Sequence, residues 1–182
     1  VSDASDSALP RVRLRDVTID DADLLDSWAR AAHGDGGFND LVDRPRLTDR
    51  IALAVGPLRN EVNGMLVVER IDDGAPIGTV GWHQVRYGPN VESAAWNIGI
   101  ELIPSARGRG YGAEAQRLLA GYLFETTGIN RVEASTDVEN LAEQRALEKA
   151  GFRREGVVRG AQFRAGSHRD LVTYARLRSD RD

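Results

Sequence analysis

Glu101-Leu102-Ile103-Pro104-Ser105-Ala106-Arg107-Gly108-Arg109-Gly110-Tyr111-Gly112-Ala113-Glu114-Ala115 is the stretch on which the reading of this chain turns. An extended apolar run turns at Pro104, the chain passes through three glycines flanked by two arginines, and an amphipathic helix follows. A helix N-terminus leaves about four N–H groups unpaired and carries partial positive charge, so one phosphate can satisfy several of them. Glycine lets the anion approach the main chain with no Cβ in the way. The stretch reads as a pyrophosphate cradle at a strand-to-helix junction.

The flanking sequence supplies a mixed set of elements. Residues 11–17 alternate apolar and charged side chains as a half-buried strand does. A helix is expected over 19–32, with Thr18 as N-cap, Asp21 three residues on, and Ala22, Leu25, Trp28, Ala29 and Ala32 along one face. Residues 33–47 read as a long loop and 48–55 as a second helix. Residues 65–71 and 76–85 form a hairpin about Asp72-Asp73-Gly74, and a strand follows over 94–103. The cradle opens a helix of about five turns that Gly128 ends, with Ala115, Leu118, Leu119, Tyr122 and Leu123 on its buried face. Residues 131–137 read as a strand, 141–150 as a helix stopped by Gly151, and the remainder as two long strands joined at Ala165-Gly166. The order is β-α-α-β-β-β-α-β-α-β-β, which implies a twisted sheet covered by helices, in the α/β (α+β) class.

At 182 residues the chain suits a single domain with a real core, expected over 11–178 between a polar tail at 1–10 and a short C-terminal tail at 179–182. The net charge of −4 gives no global field for nucleic acid, so an anion site has to be built locally. The absence of cysteine removes disulfides, thiolate metal sites and a cysteine acyl-enzyme together. His33, His83 and His168 show no metal-ligand spacing, and no metal is expected. No apolar run reaches transmembrane length and no targeting signal is evident, so the expectation is a cytoplasmic protein with no membrane partner.

Residues 108–113 also match the dinucleotide fingerprint G-x-G-x-x-G/A, with Glu133 twenty residues beyond Ala113. In that fold the strand runs straight into the first glycine, whereas Pro104-Ser105-Ala106-Arg107 intervene here and the chain ends in an antiparallel hairpin. A nucleoside-triphosphate loop is excluded because no G-x-x-x-x-G-K-[ST] occurs. A ligand-free glycine turn fits poorly with two arginines beside open N–H groups.

Arg107-Gly108-Arg109-Gly110-Tyr111-Gly112 resembles the [QR]-x-x-G-x-[GA] motif of the GNAT superfamily of acyl-CoA-dependent N-acetyltransferases. Residues 140–152, an Asn opening a helix that ends in Lys-x-Gly-Phe, resemble the family's second signature. The final hairpin, with Arg169-Asp170, and Thr18-Ile19-Asp20-Asp21-Ala22 resemble the branch of ribosomal-protein N-terminal acetyltransferases. The resemblance implies one mixed, mostly antiparallel sheet of about seven strands flanked by about four helices, with acetyl-CoA as co-substrate. It also implies that the backbones of Ile100, Leu102 and Ile103 bond the acetyl carbonyl and pantetheine amides. Arg107, Gly108, Arg109, Gly110, Tyr111, Gly112 and Ala113 then hold the pyrophosphate, and Asn140 contacts the pantetheine. Asn140 with Glu143 also reads as a helix cap.

The chain departs from the family at the proton-transfer positions. The usual Tyr of the last helix is Leu147, the Ser of the ribosomal-protein branch is Glu143, and the carboxylate of the strand before the cradle is Asn97. Glu101 is the nearest acid left to act as base, with Asn140 beside the reacting group; Glu92 and His83 are weaker candidates. Deprotonating a lysine-like amine at pH 7 costs about 4–5 kcal/mol against about 1.4 for an α-amine, so a weakly basic acceptor is expected. With no covalent nucleophile evident, direct attack in a ternary complex is the simpler chemistry. The acceptor, a peptide N-terminus or a small-molecule amine, is expected between residues 34–40, 87–90 and the hairpin near Gln162 and Phe163, with Asp35 and Asp40 attracting its charge. A homodimer through the hairpin is a further expectation. The alternative is a non-catalytic acyl-CoA sensor or partner module.

Overall fold

The computed structural model describes residues 9–32, 59 and 62–180. The strands are β1 (Val12–Asp16), β2 (Asn63–Arg70), β3 (Pro76–Arg86), β4 (Ala94–Leu102), β5 (Arg131–Asp137), β6 (Arg153–Arg164) and β7 (Ser167–Leu177). The α-helices among the described residues are α1 (Ala22–Ala32), α2 (Tyr111–Thr126) and α3 (Leu141–Lys149). The helix and loop expected over 33–55, with His33, Asp35 and Asp40, lie outside the described residues.

One seven-stranded sheet runs β1-β2-β3-β4-β5-β7-β6. Among the described residues only β4 and β5 pair in parallel, joined by the α2 crossover; every other pair of neighbouring strands is antiparallel. This is the mixed, mostly antiparallel sheet that the motifs implied. The last two strands turn at Ala165 and Gly166, with φ of +50° and +76°, a two-residue hairpin in the left-handed region.

Strand alternation sorts the side chains onto two faces. Trp96 and Ile98 of β4, and Val132 and Ala134 of β5, point to the face where α2 and α3 pack, and join Leu119, Leu123, Leu147 and Phe152 in the main core. On the other face α1 lays Leu25 against Val17 and Val67. The Thr18–Asp21 capping box forms, but its first turn is a 3-10 turn and α1 proper starts at Ala22. The carboxylate of Asp21 is committed twice, to Thr18 and to both terminal nitrogens of Arg15 at 2.7 Å. The buried face of α2 contains Gln116 and Ala120 where the periodicity favoured Leu118 and Tyr122, which are half-buried.

Candidate functional site

The site is a gap in the sheet. β4 and β5 pair at Trp96↔Val132 and Asn97↔Glu133, and their pairing ends there, although β4 continues to Leu102 and β5 to Asp137. β4 remains bonded along its other edge to β3, and β5 to β7. The two strands therefore splay beyond an apex at Asn97 and Glu133.

Hydrogen-bond alternation decides which backbone groups line the gap. The N–H of Ile103 donates to the Ile77 carbonyl at 3.0 Å, so the odd-numbered residues of β4 spend their groups on β3. Ile98, Ile100 and Leu102 turn theirs toward β5. Of the three residues expected to offer backbone, Ile100 and Leu102 face the gap. Ile103 belongs to the turn, since its carbonyl also accepts from Ala106. The Leu102 carbonyl takes the Nε of Arg107 at 2.9 Å, which ties the cradle to the strand.

At the mouth, Pro104 begins one 3-10 turn and the chain enters the glycine run. Gly108 and Gly110 have φ of +71° and +83°, a conformation that a side chain resists. No side chain caps α2, and Glu114 is its first residue to meet an intrahelical carbonyl, that of Gly110. The N–H groups of Tyr111, Gly112 and Ala113 are left open, as an anion site requires. Arg11 adds a cation from the start of β1: its Nη1 donates to the Arg109 carbonyl at 3.0 Å and it lies over the Tyr111 ring. The sequence held no signal for Arg11, because a contact across 98 residues is made only by the fold.

Asn140 caps α3 across the gap. Its Oδ1 accepts from the Glu143 N–H at 3.3 Å, and its Nδ2 donates to Thr136 Oγ1 at the end of β5. One turn further in, Glu143 is half-buried against α2; burial pushes its carboxyl up to about 7, while a hydrogen bond from Gln116 opposes the rise. Gln116 is only 1% exposed and also donates to the Gly112 carbonyl at 3.2 Å.

The opposite face carries a polar row. His83, Asn97 and Glu133 are register partners on β3, β4 and β5, so their side chains share the face away from α2 and α3. Glu133 is 5% exposed and accepts from Tyr87 Oη at 2.5 Å, Arg131 Nε at 2.8 Å and Asn97 Nδ2 at 3.4 Å. A carboxylate from the neighbouring strand thus lies beside Asn97. Sequence reading met Glu133 only through its spacing from the dinucleotide fingerprint, and cross-strand register alone reveals its place. Glu101 lies on the same face, exposed and paired in register with Thr79.

Residues 11–153 match the family described as an acetyltransferase (GNAT) domain. The chain belongs to the GNAT acetyltransferase family. It is 32% identical over 108 residues to the uncharacterised N-acetyltransferase YoaA of Bacillus subtilis, covering 59% of each chain. It is 25% identical over 173 residues to the uncharacterised N-acetyltransferase p20 of Bacillus licheniformis, covering 93% of this chain and 94% of p20. Among solved structures, it resembles the ribosomal-protein-S5-alanine acetyltransferase of Vibrio fischeri with a TM-score of 0.78, at 17% identity over 95% of this chain and 96% of that one. It also resembles the Vibrio cholerae spermidine N-acetyltransferase in complex with CoA and spermine, with a TM-score of 0.74, at 18% identity over 93% and 97%. The GNAT chain is therefore an acyltransferase with this family's fold, and GNAT enzymes take the acetyl group from acetyl-CoA. Among the described residues no helix is long and apolar enough to cross a membrane.

Proposed function

We propose that the chain acetylates a primary amine by direct attack on acetyl-CoA held in the β4–β5 gap, with a weakly basic α-amine, as at a peptide N-terminus, as the preferred acceptor. The observation that carries the reading is the splay itself. It leaves the backbone of Ile100 and Leu102 facing the gap, with the open N–H groups of Tyr111, Gly112 and Ala113 at its mouth. A pantetheine amide chain can bond that edge as a strand would, and its pyrophosphate fits the cradle formed by Arg107, Gly108, Arg109, Gly110, Tyr111, Gly112 and Ala113. Asn140 meets the pantetheine from the far side. A β4 N–H facing the gap stabilises the developing oxyanion on the acetyl carbonyl.

The acceptor enters from the His83–Asn97–Glu133 face. There Glu133 supplies buried negative charge at the apex, and Glu101 stands further along the same face. Arg131 and Tyr87 already engage Glu133, so it orients an amine better than it deprotonates one. That arrangement favours acceptors already partly neutral at pH 7. A thiol-release screen with acetyl-CoA over peptides, amino acids, polyamines and aminoglycosides tests the reading. Peptide or amino-acid α-amines are expected to be fastest, with intersecting initial-rate patterns. Fastest turnover with polyamines refutes the acceptor preference, ping-pong kinetics refutes direct attack, and stabilisation by acetyl-CoA without any thiol release marks a binding module.

A further inference from the structure

Breaking the thioester leaves a thiolate that needs a proton, and the geometry points to one group placed to give it. Both helices run beside the gap from mouth to apex. α2 begins next to Leu102 and ends where Thr127 Oγ1 accepts from Trp96 Nε1 at 3.3 Å. α3 begins just past Asp137 and leads into Arg153, which pairs with Ala175, itself the partner of Glu133. Asn140, Glu143 and Leu147 follow the i, i+3, i+7 spacing of one helix face, and the complete burial of Leu147 fixes that face inward. Glu143 therefore lies roughly 4.5 Å deeper along the helix axis than Asn140. There it is half-buried on the side of α2, whose Gln116 is 1% exposed and bonded to the Gly112 carbonyl at the start of that helix.

No cation neutralises this carboxyl among the described residues. Asp137 pairs with Arg164, Glu148 accepts from Tyr174, Glu114 pairs with Arg11, and Glu139, Arg145 and Arg117 are exposed. Burial is the main influence on the carboxyl, and Gln116, the one side chain acting on it, is neutral. Its upward displacement to about 7 keeps a large protonated fraction near neutrality, where a general acid works best.

We propose that Glu143 is the catalytic acid that protonates the departing sulfur, in place of the hydroxyl that the family's usual positions lack here. This rests on the acetyl-transfer reading above. The acceptor nitrogen bonds the acetyl carbon, the carbon–sulfur bond breaks with its electron pair on sulfur, and the carboxyl proton moves to that sulfur. The proton lost by nitrogen leaves to water at the His83–Asn97–Glu133 face, and the Glu143 carboxylate is reprotonated from solvent.

The test compares wild type with Glu143→Gln and Glu143→Ser, using a weakly basic acceptor. Glu143→Gln is expected to lower kcat by about 10²-fold with little change in KM for acetyl-CoA. It is also expected to erase a fall in wild-type kcat above a midpoint near pH 7, and Glu143→Ser to restore part of the rate without that fall. A second readout needs no turnover. The 13C signal of the Glu143 carboxyl, assigned by its loss in Glu143→Gln, is expected to titrate near 7 and to respond to CoA but not to CoA lacking its sulfur. Unchanged kcat, persistence of the alkaline fall in Glu143→Gln, or equal response to both ligands overturns the proposal. A sulfur-dependent response without thiol release from wild type supports the carboxyl's placement and overturns acetyl transfer instead.

Discussion

A carboxyl buried beside a neutral amide costs stability once it ionises, and Glu143 is such a group. Its pKa is raised in the folded chain to about 7 from an ordinary 4.5, so the folded state holds the extra proton between those values. Stability is then highest below the unfolded value and falls as pH rises through about 7, by up to about 3 kcal/mol. Glu143→Gln is expected to raise the melting temperature at pH 8 and leave it near wild type at pH 5; thermal melts at the two pH values check this. Asp21 behaves in the opposite sense. The Arg15 guanidinium, aided by Thr18, holds its carboxyl at about 2 against the cost of burial. Its stabilisation is present above an ordinary carboxyl value near 4 and is lost as pH falls toward 2. In acid titrations Asp21→Asn is expected to flatten that part of the stability curve.

Among the elements, the cradle and the α3 cap separate folding from binding. A Cβ on Gly108 meets nothing within 4 Å, so Gly108→Ala pays only for a left-handed backbone, about 1–2 kcal/mol. The added methyl occupies open space at the cradle, and the expected loss of CoA affinity by calorimetry exceeds the loss of stability. At the other wall, Asn140→Ala removes the cap and the Thr136 bond, at a cost of about 1 kcal/mol or somewhat more. Asn140→Asp keeps a capping oxygen but replaces the amide donor. If Asn140 contacts pantetheine, Asp preserves stability while CoA binding weakens; equal binding in both proteins assigns Asn140 to capping alone. The cradle and the cap were legible in sequence because both are local: glycine spacing, a proline stop, and Asn followed three residues later by Glu. The face of α2 was less legible, since Gln116 is buried with its amide bonded back to the Gly112 carbonyl, which no helical period announces.

For the whole molecule, the gap exists because β4 is held straight by β3 while β5 leaves with β7. Gly78 makes the first half possible. A Cβ there falls 2.2 Å from the Glu101 carbonyl oxygen, so β3 and β4 could not keep their register at Leu102. Gly78→Ala is expected to cost about 1–3 kcal/mol, read as a lower urea midpoint, and to weaken CoA binding although residue 78 lies on the strand behind the gap. Substitution at Gly99, where a Cβ meets nothing within 4 Å, serves as the control and is expected to be much milder.

Sequence by itself determined the class of fold, the succession of strands along the chain and the glycine loop with its Asn-capped partner helix. Those features rest on periodicity, turn chemistry and short motifs, all read within a few neighbouring residues. Only the tertiary structure decided which backbone groups are open, because the Ile103–Ile77 bond sets the alternation that turns Ile100 and Leu102 toward the gap and Ile103 away. It also brought Glu133 beside Asn97, Arg11 beside Arg109, and Glu143 against Gln116. Register, burial and the bonds between distant segments belong to the folded chain, and the charges that carry the chemistry take their values from them.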